Sequence, residues 1–117
     1  MEVQIFGTRK STDTRKALRF FSERRIRTHF VDLAERGASM GELRRFAQKF
    51  GVDALIDRES KRFLDLGLAT ARYSDERWLE KLVLEPHILR APLVRCRERL
   101  TIGIDEAAWK TWIETAS

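Results

Sequence analysis

The positions in this chain that could carry out chemistry are concentrated in residues 3–21, VQIFGTRKSTDTRKALRFF. An apolar run stops at Gly7, and a short polar loop leads to Ser11, where an amphipathic helix is predicted to begin. A cysteine at such a corner would be reactive, because the first N–H groups and the dipole of a helix lower the pKa of a thiol. A serine hydroxyl there stays neutral and cannot form a disulfide. Ser11 is therefore either a disabled catalytic position or a helix cap, for which Thr12 and Asp13 are rivals.

Cys96 is the one cysteine of the chain and the second candidate for chemistry. It lies in a predicted strand between Arg95 and Arg97, two cations that would lower the pKa of an exposed thiol. Strand alternation places Cys96 on the face of Val94, which predicts a buried and inert side chain. A relocated nucleophile and a core cysteine are thus both open interpretations. A single cysteine excludes an internal disulfide and a metal cage of several thiolates.

The two histidines, His29 and His87, give no sign of a catalytic triad. His29 falls on a predicted strand and His87 follows Pro86 in a predicted turn, and neither has an acidic or nucleophilic neighbour close in sequence. One cysteine and two histidines make a zinc site improbable. We expect no metal and no cofactor.

Composition limits the possible partners. The 117 residues correspond to one domain, and 23 lysines and arginines against 18 aspartates and glutamates give a formal net charge of +5. This surface favours anionic partners, or is merely a solvated basic face. The basic residues are scattered, without the interleaved aromatic residues that single strands would need, so direct binding of nucleic acid is not expected. With neither a basic leader nor the roughly 18 apolar residues of a membrane span, we expect a cytoplasmic protein with no membrane partner.

The hydrophobic pattern predicts an α/β fold in the order β-α-β, a helical insertion, and β-β-α. Strands are predicted at residues 3–6, 28–33, 93–97 and 99–102, and helices at 12–24, 39–50, 60–66 and 74–84. Ser39 and Glu42 form a predicted capping box, and Asp105 is predicted to cap a last helix. We expect one mixed sheet, a helical insertion at about 39–84, and a single domain over residues 1–117.

Three segments together resemble the arsenate reductase ArsC/Spx family, including its YffB-like members. They are IFGTRKSTDTRKA near the start, LIDRESKRFLDLGL in the middle and HILRAPLVRCRERLTIG near the end, in the family's order over nearly the whole chain. The resemblance implies a thioredoxin-like, or glutaredoxin-like, sheet with an inserted helical subdomain. This agrees with the element order predicted from the residues themselves.

The resemblance also implies where the family's chemistry would lie. It aligns the nucleophilic cysteine with Ser11 and the second cysteine of Spx-like relatives with Thr14, so both thiols are absent. Arg58 aligns with an arginine that arsenate reductases use to hold the oxyanion, a role suited to a planar and permanently charged group. An exposed arginine before a helix is equally an ion-pair partner or a solvated side chain.

Two other arginines of the family are missing. The arginine before the family's cis-proline corresponds to Ala91, and a third arginine corresponds to Gly103. Pro92 is retained and is predicted to form the cis bond that shapes the floor of the site.

The absence of both thiols predicts a non-enzymatic binding or regulatory protein. Its partner would be another protein, and the analogy with Spx suggests RNA polymerase. The alternative is an arsenate- or glutathione-linked reductase in which Cys96 or a partner's thiol does the chemistry. The corner is also predicted to attract a small anion, unless the side chains at the start of the helix satisfy its N–H groups themselves. The residues predicted for this anion site are Arg9, Lys10, Ser11 and Arg58.

Overall fold

The structure is a computed structural model that describes residues 1–116. These residues form two compact units, each described here by itself. The sheet unit comprises Met1–Asp32 and the described chain from Ala91 onward, and the helical unit comprises Leu33–Arg90. The predicted insertion at about 39–84 falls inside the helical unit. That the two units form a single domain stays a prediction.

Within residues 1–116, four strands and five α-helices follow one another in the predicted order. The strands are β1 (Glu2–Gly7), β2 (Arg27–Asp32), β3 (Leu93–Cys96) and β4 (Arg99–Ile102), and the helices are α1 (Thr12–Glu23), α2 (Met40–Phe50), α3 (Lys61–Asp65), α4 (Asp75–Leu84) and α5 (Glu106–Thr115). None of the helices in the described part of the chain is long and apolar enough to cross a membrane.

One mixed sheet in the order β2-β1-β3-β4 organises the sheet unit. β1 runs parallel to β2 and antiparallel to β3, and β3 and β4 form a hairpin. The parallel pair is connected through α1, as a β-α-β unit requires. The predicted mixed thioredoxin-like sheet is therefore confirmed, although Arg97, predicted as the end of β3, lies in the hairpin turn.

The core of the sheet unit lies between one face of the sheet and the two helices α1 and α5. Every second residue of β1, Val3 and Ile5, is buried there, because successive side chains of a strand point to opposite faces. Trp109 is fully buried and donates its indole N–H to Thr101 Oγ1 at 2.8 Å, which satisfies the polar end of the ring. The remaining buried members are Ala17, Phe20, Phe21, Val94 and Trp112.

The helical unit is built from short helices whose first turns are capped by serine. Ser39 accepts from the Glu42 N–H at 3.1 Å while the Glu42 carboxylate accepts from the Ser39 N–H at 2.9 Å, so the predicted capping box is present. Ser60 Oγ accepts the Phe63 N–H and Ser74 Oγ accepts the Arg77 N–H, so each serine caps its helix, α3 or α4, without a reciprocal bond to the serine N–H. Three short 3-10 helices, which the sequence did not predict, connect these elements at Val52–Leu55, Leu68–Thr70 and Pro86–Ile88.

Candidate functional site

The corner between β1 and α1 is the site that the sequence singled out. After Gly7 the chain turns, with the Ser11 N–H donating to the Thr8 carbonyl at 3.1 Å. Ser11 has extended backbone angles and accepts the Thr14 N–H on its Oγ at 3.1 Å, which makes it the N-cap of α1. The cap interpretation of Ser11 is confirmed, and Thr12 and Asp13 are not the cap. Ser11 is half-buried, so its hydroxyl lies at the edge of the protein surface.

Thr14, the position aligned with a second cysteine, is fully buried one turn into α1. Its Oγ1 is buried and has no hydrogen-bond partner among the described residues. A Cβ added to Gly7 would lie 2.3 Å from this oxygen, so β1 can end this close to the helix only because Gly7 has no side chain. The space between the end of β1 and the start of α1 is therefore filled by the Thr14 side chain, whose hydroxyl is unsatisfied among the described residues.

The charged residues around the corner are exposed and of both signs. The Arg9 guanidinium lies 4.8 Å from the centroid of the Phe30 ring on β2. The backbone carbonyl of Arg9 accepts a hydrogen bond from the Arg15 guanidinium at 2.6 Å. Lys10 and Asp13 are exposed, and the Asp13 carboxylate lies in the first turn of α1. A carboxylate there interacts favourably with the helix dipole and opposes the binding of an anion.

Pro92 neighbours the corner through the sheet. The Ala91–Pro92 bond is cis, as predicted. Phe6 pairs with Leu93, and continuing this antiparallel register places Pro92 beside Gly7, the last residue of β1. The Pro92 carbonyl accepts the Gly103 N–H at 2.8 Å, and Gly103 has a φ of +75°, a conformation that an arginine would adopt only with strain.

Arg58 belongs to the helical unit and already has an anionic partner there. Its Nη2 donates to the Asp53 carboxylate at 2.6 Å. The guanidinium also lies 5.7 Å from the Phe63 ring and 5.6 Å from the Trp78 ring. Of the four residues predicted for the anion site, Arg9, Lys10 and Ser11 are adjacent in the sheet unit, and Arg58 lies in the other unit, paired with a carboxylate.

Cys96 is only partly buried, whereas the strand pattern predicted a buried cysteine. The predicted face is right, because its side chain packs against the edge of the core that contains Val94. Burial is incomplete because Cys96 is the last residue of β3, where an open groove reaches the strand. The alternation of a strand predicts which face a residue occupies, but not whether another element covers the end of that face.

Both histidines are exposed, and neither is part of β1, α1 or the turn between them. His29 is exposed on β2, and His87 is exposed in the short helix Pro86–Ile88 of the helical unit. Within residues 1–116, no group of three or more histidine, cysteine, aspartate or glutamate side chains could hold a metal ion.

Comparison with known proteins turns the resemblance into a family assignment. The ArsC family model matches residues 6–112, nearly the whole chain. The chain belongs to the ArsC family. No curated protein matches it.

Solved structures of ArsC-related proteins share the fold. A protein titled YFFB (PA3664) superposes with a TM-score of 0.84 at 20% identity, covering 93% of this chain and 96% of its own. An ArsC-family-related protein from Bacteroides fragilis gives 0.84 at 15% identity, with 95% and 97% covered. The arsenate reductase from Vibrio cholerae gives 0.77 at 23% identity, with 87% and 89% covered. At these identities the likeness shows the fold alone.

Proposed function

We propose that this ArsC-family chain is a non-enzymatic binding or regulatory protein, in which the family's nucleophile position has become a helix cap. The observation that carries the proposal is the hydrogen bond from the Thr14 N–H to Ser11 Oγ, 3.1 Å long. The side chain at position 11 satisfies its own helix terminus with a neutral oxygen. It is therefore a structural group where the family alignment expects a thiolate.

A hydroxyl cannot replace that thiolate. The dipole of a helix contributes about 1 kcal/mol, which lowers a pKa by less than about one unit. This suffices to bring a thiol, whose ordinary pKa is about 8.5, towards neutrality. A serine hydroxyl stays protonated under the same influence. Serine also cannot form a disulfide, so it cannot deliver two electrons to a substrate by thiol oxidation.

Cys96 is poorly placed to take over the chemistry at the corner. The pairing of Gln4 with Arg95, continued by one residue, puts Cys96 beside Val3 near the start of β1. Ser11 follows the other end of the same strand. Four residues of strand separate the two ends, or about 13 Å. A substrate held at the corner would therefore be out of reach of the Cys96 sulfur.

The partner that we propose is another protein in the cytoplasm. Support comes from the retained fold, from the missing thiols and from the analogy with Spx, through which RNA polymerase is the first partner to test. The corner would add weak binding of a small anion through its exposed cations. Neither role needs a nucleophile.

Turnover assays with purified protein test the proposal. We expect no reduction of arsenate and no reduction of glutathione mixed disulfides by the wild-type chain. Turnover that disappears in Cys96→Ala would overturn the proposal in favour of a Cys96-dependent reductase. Turnover that persists in Cys96→Ala would equally overturn it, because it would require chemistry without a protein thiol.

A gain-of-function variant tests the physical reason. In a Cys96→Ala background, Ser11→Cys should give a thiol with a pKa below its ordinary value, measured as the pH dependence of alkylation by iodoacetamide. Lys16→Cys, exposed further along α1, is the matched control and should titrate closer to the ordinary value. Equal pKa values at the two positions would show that the corner does not activate a thiol. The serine at position 11 would then not account for the absence of reductase activity.

A further inference from the structure

An open groove crosses the sheet unit at the end of the sheet opposite to Ser11. It is formed by the start of β1, the start of β2, the β3–β4 hairpin and the end of α5, and its volume is about 1310 Å³. Glu2 pairs with Arg27 at the N-terminal ends of the parallel strands, whereas Ser11 follows the C-terminal end of β1. The groove is therefore separate from the corner between β1 and α1.

Basic side chains dominate the lining of this groove. Four arginines and one histidine line it, namely Arg27, His29, Arg95, Arg97 and Arg99. Two carboxylates, Glu2 and Glu98, also line it. Glu2 lies 3.9 Å from the Arg27 guanidinium, and both side chains are more than half exposed, so this pair is weak. Four arginines against two glutamates leave the groove positively charged.

Three of the polar side chains form a row across the sheet. Gln4 pairs with His29 on one side and with Arg95 on the other. Directly paired residues of neighbouring strands point to the same face, so the three side chains lie side by side. The row spans two strand spacings, or about 10 Å. Donors at this spacing suit an extended ligand better than a single compact ion.

Arg97 lines the groove and has an unfavourable backbone conformation. It is the first residue of the two-residue loop between Cys96 and Arg99, and its φ is +57°. Two-residue hairpin loops favour glycine, asparagine or aspartate at positions of positive φ, because a larger side chain is strained there. Arg25, in the turn before β2, has the same φ but does not line the groove.

We propose that this groove is a docking site for an acidic, extended segment of a partner protein. Guanidinium groups match carboxylates in charge and in planar geometry. The volume exceeds the roughly 300–1,000 Å³ of small-molecule pockets. Trp112, the one tryptophan, tyrosine or phenylalanine among the described lining residues, is 6% exposed, so nucleic-acid bases have no ring to stack on. This inference does not rest on the absence of a nucleophile at Ser11.

Fluorescence anisotropy with a fluorescein-labelled deca-glutamate peptide tests the site. We expect saturable binding to the wild-type chain that weakens as salt is added. Arg27→Glu should weaken it by more than about fivefold, because it reverses a charge on the groove wall. Lys110→Glu, exposed on α5 and outside the groove, is the control for net charge and should have a much smaller effect. Equal losses in the two variants would overturn the proposal.

A pair of glycine variants separates the role of the Arg97 side chain from that of its backbone. Arg97→Gly should weaken peptide binding by about fivefold while leaving the melting temperature unchanged or raised, because glycine tolerates the positive φ. Arg25→Gly relieves the same kind of strain outside the groove and should leave peptide binding unchanged. A lower melting temperature in Arg97→Gly, or an equal loss of binding in Arg25→Gly, would assign Arg97 a structural role and overturn this part of the site.

The same assay compares the acidic peptide with a nucleic acid as a ligand of the groove. Labelled oligothymidylate of the same length should bind more weakly than the peptide, because the groove offers no stacking surface. Tighter binding of the oligonucleotide would overturn the proposal in favour of a nucleic-acid surface. Reductase activity has no bearing on either result, so this proposal and the one on Ser11 can fail separately.

Discussion

Gly7 and Thr14 are in such close contact that a Cβ added to Gly7 would lie 2.3 Å from Thr14 Oγ1 and 2.6 Å from Thr14 Cγ2. Gly7 ends β1, and Thr14 lies in the first turn of α1. The distance between the end of the strand and the start of the helix therefore depends on a residue without a side chain. Ser11 lies in the segment of chain that connects these two residues.

Gly7→Ala should destabilise the protein by about 1–3 kcal/mol, because the added methyl overlaps a packed side chain. Urea unfolding measures the change. The matched control is Gly41→Ala in the first turn of α2, where an added Cβ would have no atom of the described chain within 4 Å; that variant should gain up to about 1 kcal/mol. The cost of Gly7→Ala should shrink in a Thr14→Ala background. An equal cost in both backgrounds would show that Thr14 is not the obstacle.

Thr14→Val should leave the protein as stable as the wild type or more stable by about 1 kcal/mol. The variant keeps the shape of the side chain and removes a buried hydroxyl for which residues 1–116 supply no hydrogen-bond partner. Thr14→Ser is the comparison, since it keeps the hydroxyl and loses the methyl group; it should be less stable than Thr14→Val. If Thr14→Val were the less stable of the two, the hydroxyl would have to be satisfied in solution.

Sulfate should bind weakly at the start of α1, with shifts of backbone amide NMR signals confined to residues 9–14. The exposed Lys10 and the N-terminus of the helix attract the ion, whereas the Asp13 carboxylate repels it. Asp13→Asn should therefore strengthen binding, by about twofold to fivefold, and Lys10→Ala should weaken it. Sulfate titration without localised shifts would leave the corner as a capped helix end only.

Acid should destabilise the protein partly through Glu42. Burial raises the pKa of this carboxyl, but hydrogen bonds from Ser39 and the nearby Arg36 guanidinium outweigh it and hold the pKa below 4.5. The lowered pKa in the folded state means that unfolding takes up a proton at acid pH. The stabilisation that the ionised Glu42 carboxylate contributes is complete above the unfolded pKa of about 4.5, and it is lost as the pH falls through the folded pKa.

The variant Glu42→Gln checks this assignment, because glutamine keeps an oxygen acceptor and does not titrate. Urea midpoints measured between about pH 6 and pH 3 should fall less in Glu42→Gln than in the wild type. Glu80→Gln, at an exposed position of α4, serves as the control and should follow the wild type. Parallel curves for all three proteins would exclude Glu42 as a contributor to acid sensitivity.

Local features of the fold could be predicted from the sequence because they depend on neighbours within one turn. Ser11, Ser39 and Asp105 each cap a helix by accepting an N–H three residues ahead, and such pairs can be recognised in a linear sequence. The three 3-10 helices were missed because segments of three or four residues are too short to show a hydrophobic period.

The sequence alone determined the element order, the capping box of α2 and the chemical identity of position 11, because residue type and local spacing decide these. The structure selected Ser11 over Thr12 and Asp13 as the cap of α1. Only the tertiary structure decided which distant residues meet. It gave Arg58 the Asp53 carboxylate as a partner, and it left Cys96 only partly buried at the end of β3. It also gathered Arg27 and Arg97, seventy positions apart, in one basic groove. Charges that are scattered in the sequence become a site only when strand pairing brings their elements together, and no local pattern encodes that pairing.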